Sequence, residues 1–137
     1  MSAPLNVKLG LKPATKWCVY NPPRGFVESL EPLPLGCEVV TAPDRDADYR
    51  IVFAVTSDQM MELFLEAFRG LSIKGAIWIA WPKKASNVPT DLHFESVQTL
   101  GISRRLVDNK VCAIDETWTA LRFVVPINVR TGWVPAP

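Results

Sequence analysis

Histidine occurs once in this chain, and cysteine three times at wide intervals. No CxxC pair and no cluster of His with Cys is present, which excludes a structural zinc site of the usual spacing. No G-x-S-x-G stands before a helix, so a serine nucleophile elbow is excluded as well. His93 falls in the first turn of an expected helix with no obvious nucleophile beside it, since Ser86 and Ser96 sit in no such elbow, and this leaves general acid–base work without a partner. Excess charge of either sign is lacking: fifteen basic residues face fourteen acidic ones, for a net charge of +1. Such a balance makes no broad field toward nucleic acid or an anionic membrane, and neither is expected as a partner. Long apolar runs are missing too. The most apolar stretch, residues 73–82, is about half the ~20 residues a membrane span needs. Residues 1–13 contain no apolar core of signal-peptide length, so a cytoplasmic location is expected. Free, buried thiols in a reduced compartment then account for Cys18, Cys37 and Cys112.

What the chain has is apolar matter, 48% of its 137 residues, enough for one domain with a real core. Residues 16–20 are rich in β-branched and aromatic side chains and read as a strand. Asn21, Pro22, Pro23, Arg24 and Gly25 break it with a turn. A short helix is expected at 26–30, and a second short strand at 37–41. Residues 49–55 form a third strand, apolar nearly throughout, as suits a parallel strand covered on both faces. Thr56, Ser57 and Asp58 supply N-cap residue types. Met60, Leu63, Phe64, Ala67, Phe68 and Leu71 then recur at helical spacing. Residues 73–81 make the strongest strand, ended by Pro82. Thr90 and Asp91 are expected to cap a third helix reaching Gly101. Residues 104–115, interrupted near Asp108 and Asn109, and residues 117–125 form a closing antiparallel hairpin. Residues 1–13 are expected to be an extended lead-in, because Pro4 and Pro13 oppose a long helix.

This order predicts an α/β fold: a Rossmann-like open sheet, mostly parallel with a C-terminal antiparallel hairpin, and helices on both faces. Residues 1–126 are expected to form this single domain and 127–137 a C-terminal extension. The connection 42–48 is short for a parallel crossover, which argues against the second and third strands being neighbours. Ligands of such sheets sit beyond the carboxyl ends of the strands. The rule points to the loops 21–26, 41–47 and 82–91.

Leu9-Gly10-Leu11-Lys12-Pro13, the strand at 17–20 and the turn at 21–26 resemble the opening of class I methyltransferases. Residues 73–81 resemble the strand that follows "L-K-P-G-G" in that group. A closer resemblance is to a family of small bacterial proteins of unknown function. It is carried by 9–13, by Trp78, Trp81, Pro82 and Lys83, by Thr90 and Asp91, and by Thr117-Trp118-Thr119-Ala120-Leu121-Arg122. This resemblance implies a truncated methyltransferase-like sheet and no reaction. The methyltransferase pattern itself is broken where a methyl donor would bind. The first strand holds no acid, and Pro22 and Pro23 replace the glycines and backbone donors of the usual loop. No cofactor is therefore expected.

The candidate anion site combines Lys83, Lys84, Ser86, Thr90 and Asp91 with Asn21, Arg24 and Gly25. Lysines and helix-start N–H groups favour an anion, and Arg24 adds a planar donor fork. A solvated loop and a plain turn explain the same residues without a ligand. Trp118, Arg122 and Trp133 are candidate partner-binding residues, with packing as the alternative. The sequence thus points to a non-catalytic, methyltransferase-like binding or regulatory domain with an anion-binding crevice. Two other readings stay open. One is an accessory subunit of a larger complex, using its aromatic tail for a protein partner or self-association. The other is a small transferase that holds a methyl donor or nucleotide by atypical contacts.

Overall fold

The apolar runs read as strands are strands in a computed structural model, which describes residues 3–41, 44, 46–129, 132, 133 and 135. The strands are β1 (Lys16–Tyr20), β2 (Glu38–Val40), β3 (Tyr49–Phe53), β4 (Ala76–Pro82), β5 (Val107–Ala113) and β6 (Trp118–Val124). The helices are α1 (Leu5–Leu9), α2 (Ser57–Arg69) and α3 (Phe94–Ser103). The strands form one sheet in the order β2-β1-β3-β4-β6-β5. β1 to β4 run parallel, and β6 is antiparallel to both of its neighbours. β2 and β3 are separated by β1, as the short connection between them required.

β4 is buried along its whole length, in keeping with its lack of any charged side chain. The edge strand β5 is mostly exposed and carries Asp108 and Lys110, charges that discourage pairing with another chain. One face of the sheet is covered by α2 and α3. Met60, Phe64, Ala67 and Phe68 of α2, and Val97, Leu100 and Gly101 of α3, are its buried stripe. Each buried Phe side chain contributes about 1.5–3 kcal/mol. The other face holds Trp17, Val19, Ile51, Phe53, Trp78 and Ala120, under Leu9, Phe26 and Leu30. Its cover is thinner: α1 and a 3-10 turn at Glu28–Leu30. Cys18, Cys37 and Cys112 are buried thiols outside any disulfide. Burial pushes the Cys112 thiol up. Among the described residues, no helix is long and apolar enough to cross a membrane.

Four local expectations need correction. The lead-in contains a five-residue helix, because the Pro4 carbonyl accepts from the N–H groups of Val7 and Lys8. Proline needs no donor at a helix start, so Pro4 does not prevent it. The strongest strand starts at Ala76, not at Ile73, because Gly75 N–H closes a turn on Ser72 O. Pro82 belongs to β4, paired with Trp118, because β3 has already ended opposite Ala80 and asks no N–H of it. His93, not Thr90 or Asp91, caps α3: its ring accepts from Ser96 N–H while Ser96 Oγ accepts from the His93 N–H.

Arg50 lies in the α2 face of the sheet with 1% of its surface exposed. Its guanidinium donates to the carbonyls of Asp44 (2.7 Å), Ala47 (3.2 Å) and Gly70 (2.9 Å) and to the Tyr20 hydroxyl (3.1 Å). It therefore ties the return from β2 to the end of α2. Lys16 Nζ holds the same return through the Asp44 carboxylate at 2.6 Å, and this contact keeps that carboxyl below its usual range.

A Cβ on Gly70 would lie 2.5 Å from Arg50 Nη2. At an ordinary negative φ, Gly→Ala commonly stabilises by about 0.4–1 kcal/mol. Gly70→Ala is expected instead to destabilise by about 1–3 kcal/mol in urea unfolding, as overpacking does. A gain in stability would mean that the guanidinium is not held there. Burial first, and the neighbouring Cys18 thiol second, push the Tyr20 hydroxyl up to about 12. A raised value stabilises the fold fully below the unfolded pKa of about 10, and this is lost as pH rises through the folded value. Melting temperature followed from about pH 8 upward should fall across this window in the wild type. Tyr20→Phe should be less stable at neutral pH but lack that share of the alkaline loss.

Candidate functional site

Because β1 to β4 are parallel, the turns that follow them rise on one rim of the sheet. The chain turns left from β1 to β2 and right from β3 to β4, so the switch point lies between β1 and β3. One side chain bridges this gap, and others bond the backbone that follows β3. Asn21, in the left-handed region at φ 56°, donates its amide to Phe53 O at 3.1 Å. The Val55 N–H donates to Gln59 Oε1 at 2.9 Å, and Val55 O accepts from the Thr90 hydroxyl at 2.6 Å. The start of α2 is capped from within and from afar. Thr56 Oγ1 accepts from Gln59 N–H. Ser57 N–H and Oγ both donate to the Asp91 carboxylate at 2.8 Å. These bonds, the Ser57 hydroxyl foremost, hold the Asp91 carboxyl below its usual range. Asp91 thus places on the positive end of α2 the negative charge that an anionic ligand would otherwise bring.

A cleft of about 440 Å³ opens further along the rim. One wall is Pro23, Arg24 and Gly25; the other is Ile114 and Asp115 of the β5–β6 turn. Phe26 and Trp118 form its base, each packed edge-on against Phe53, with ring centroids 4.6 and 5.1 Å apart. Lys83 braces the far wall, donating Nζ to Asp115 O at 2.6 Å. The Asp115 carboxylate accepts the N–H groups of Thr117 and Trp118, both at 2.8 Å. Arg24 is exposed at the cleft mouth.

The rim therefore brings Arg24, Gly25 and Trp118 into one cleft, with Lys83 behind its wall. Asn21 stands at the switch point. Lys84 is exposed on a 3-10 turn at Lys84–Ser86, and Ser86 Oγ donates back to Lys83 O at 2.7 Å. Thr90 and Asp91 face the start of α2. Arg122 lies away from the rim, beside Trp78 on the thinly covered face. Trp133 is 9% exposed and packs edge-to-face on Phe68 of α2 at 5.9 Å. The rest of the expected extension includes Arg130, Thr131, Val134, Ala136 and Pro137, which lie outside the described residues. His93 is exposed at the start of α3, its Nδ1 3.1 Å from Glu95. Among the described residues, no group of three or more His, Cys, Asp or Glu is placed to hold a metal ion. Sequence reasoning missed Phe26 and Asp115 as cleft residues. The one available signal was the tightness of the 115–117 connection, which fixes where the hairpin turns.

No protein-family model and no curated protein matches this chain. Among solved structures it is similar to the TehB-like SAM-dependent methyltransferase from Corynebacterium glutamicum. The TM-score is 0.57 at 10% identity, covering 88% of this chain and 85% of that one. The fold is methyltransferase-like. PigF, solved with SAH, is less alike, with a TM-score of 0.47 at 8% identity, covering 91% of this chain and 62% of that one. At these identities the likeness concerns the fold alone.

Asp91→Asn tests the clasp between the two rim loops. A depressed carboxyl stabilises above the unfolded value of about 3.9, and this is lost as pH falls through the folded value. Wild type should therefore melt higher than Asp91→Asn near neutrality, with the difference shrinking below about pH 4. A difference that is unchanged at low pH would remove the charge from the account.

Proposed function

We propose that this chain is a non-catalytic, methyltransferase-like binding domain that receives an acidic group of its ligand at the rim cleft. One observation carries the reading. The backbone groups at the switch point, which in doubly wound sheets hold the ligand, are bonded to Asn21, Gln59, Thr90 and Asp91. The residues there do not fit a methyl-donor cofactor. β1 (Lys16–Tyr20) contains no acid, Pro22 and Pro23 have no N–H to offer, and the first turn of α2 is already paired with a carboxylate. Space is open instead beside Arg24, whose exposed guanidinium suits a carboxylate or phosphate. Two further protons of the Lys83 ammonium remain beyond its bond to Asp115 O.

The two halves of this reading are checked separately. Calorimetric titration with S-adenosylhomocysteine should give no binding heat up to millimolar concentration; a dissociation constant in the low micromolar range would overturn the non-catalytic half. NMR titration with citrate should shift the Gly25 amide and the Trp118 indole signals. In Arg24→Ala these shifts should fall at least severalfold. Equal responses in wild type and variant would remove the acidic-group half.

A further inference from the structure

The thinly covered face carries two clefts that meet at one side chain. The smaller, about 250 Å³, lies over Tyr49 and Trp78 and is lined by Lys12, Lys110 and Arg122. Its floor is fixed, because the Trp78 indole N–H donates to Leu9 O at 3.2 Å. Among the described residues, no carboxylate lines it. The ion pairs between described residues are Lys16–Asp44, Arg69–Glu66 and His93–Glu95, so none of these three cations is paired. Arg122 is half-buried, and a guanidinium partly out of water is costly without an acceptor.

The like charges are brought together by an irregularity in the sheet. Asp108 pairs with Phe123, but Lys110 pairs with Arg122, so the register slips by one residue at Asn109. A regular ladder would place Asn109 opposite Arg122. Like charges directly opposite destabilise a sheet, and bulges re-aim side chains where a site needs them. The slip therefore gathers positive charge at a cost that a bound anion would offset.

Arg122 also lines the second cleft, about 610 Å³, which has Val107, Val124, Pro126 and Ile127 along its walls together with Lys74, Asn109 and Asn128. Ile127 is 83% exposed and Val107 40%, an apolar surface left open next to the cations. Arg122 borders both clefts, so a cleft whose charged residues are all cationic adjoins one with a largely apolar wall.

We propose that these adjoining clefts act as one groove that binds a small amphiphile: an anionic head held by Arg122, Lys110 and Lys12, and an apolar body lying along Val107, Val124 and Ile127. The volumes suit one small molecule. Concave walls of that size do not suit the plane of a bilayer.

Octyl phosphate, kept below its micelle concentration, is the probe, followed by calorimetry and by NMR of the Trp78 indole. Saturable binding with a shift of that indole is expected. Inorganic phosphate and 1-octanol should each bind at least tenfold more weakly, since each fills one end only. Lys110→Gln at the exposed edge strand should weaken octyl phosphate about tenfold, and Ile127→Asp should do so at the other end; neither residue is part of the core. Arg122→Gln should weaken it most. Absence of saturable binding, equal affinity in Lys110→Gln and Ile127→Asp, or binding only to anionic vesicles would overturn the proposal. A shift confined to Gly25 and Trp118 would overturn it too, because the probe would then sit in the rim cleft.

Discussion

The return from β2 to β3 and its join to the end of α2 depend on one buried guanidinium. The chain must return from β2 to β3 across the end of β1, and it does so in a connection too short for a helix. A bare loop there would leave carbonyls facing an apolar core. Arg50 answers them, donating to Asp44, Ala47 and Gly70 and to the Tyr20 hydroxyl. A planar group with five donors can serve several acceptors at once, which an ammonium on a flexible stem does less well. Gly70 is the reciprocal constraint, since any side chain there would enter the space the guanidinium fills.

The economy of the α2 face has a consequence for the other. With α2 and α3 on one side, the opposite side is left to α1 and a single 3-10 turn. These cover β1, β3 and part of β4. The beginning of β5 and the end of β6 remain open, and the groove of Arg122 lies there. At the carboxyl rim the opposite has happened. The position where such a sheet usually holds its ligand is closed by Asn21, Gln59, Thr90 and Asp91, and open space is displaced toward the hairpin. Within a methyltransferase-like fold, the open clefts thus lie beside the hairpin and on the thinly covered face.

Much of this was legible in the residues, and the reasons are physical. Strand and helix identity follow from period: the alternation at 118, 120 and 122, the stripe from Met60 to Leu71, and the continuous apolar run of β4 each admit one structure. The interruption expected near Asp108 and Asn109 is the register slip of β5. The role of Asp91 was not legible, because a carboxylate before a helix looks the same whether it caps that helix or, as here, reaches across 34 positions to Ser57. Nor was that of Arg50, which in sequence is one charge inside an apolar strand.

The sequence by itself determined the class of fold, the parallel run of the first strands, the closing hairpin and the absence of a donor loop, because these depend on local period, turn chemistry and proline. Only the tertiary structure decided which charges meet. Lys12, Lys110 and Arg122 come from three distant segments and share a cleft through strand pairing and a one-residue slip. Such encounters depend on register and on what fails to cover a face, and neither is written in any short stretch of residues.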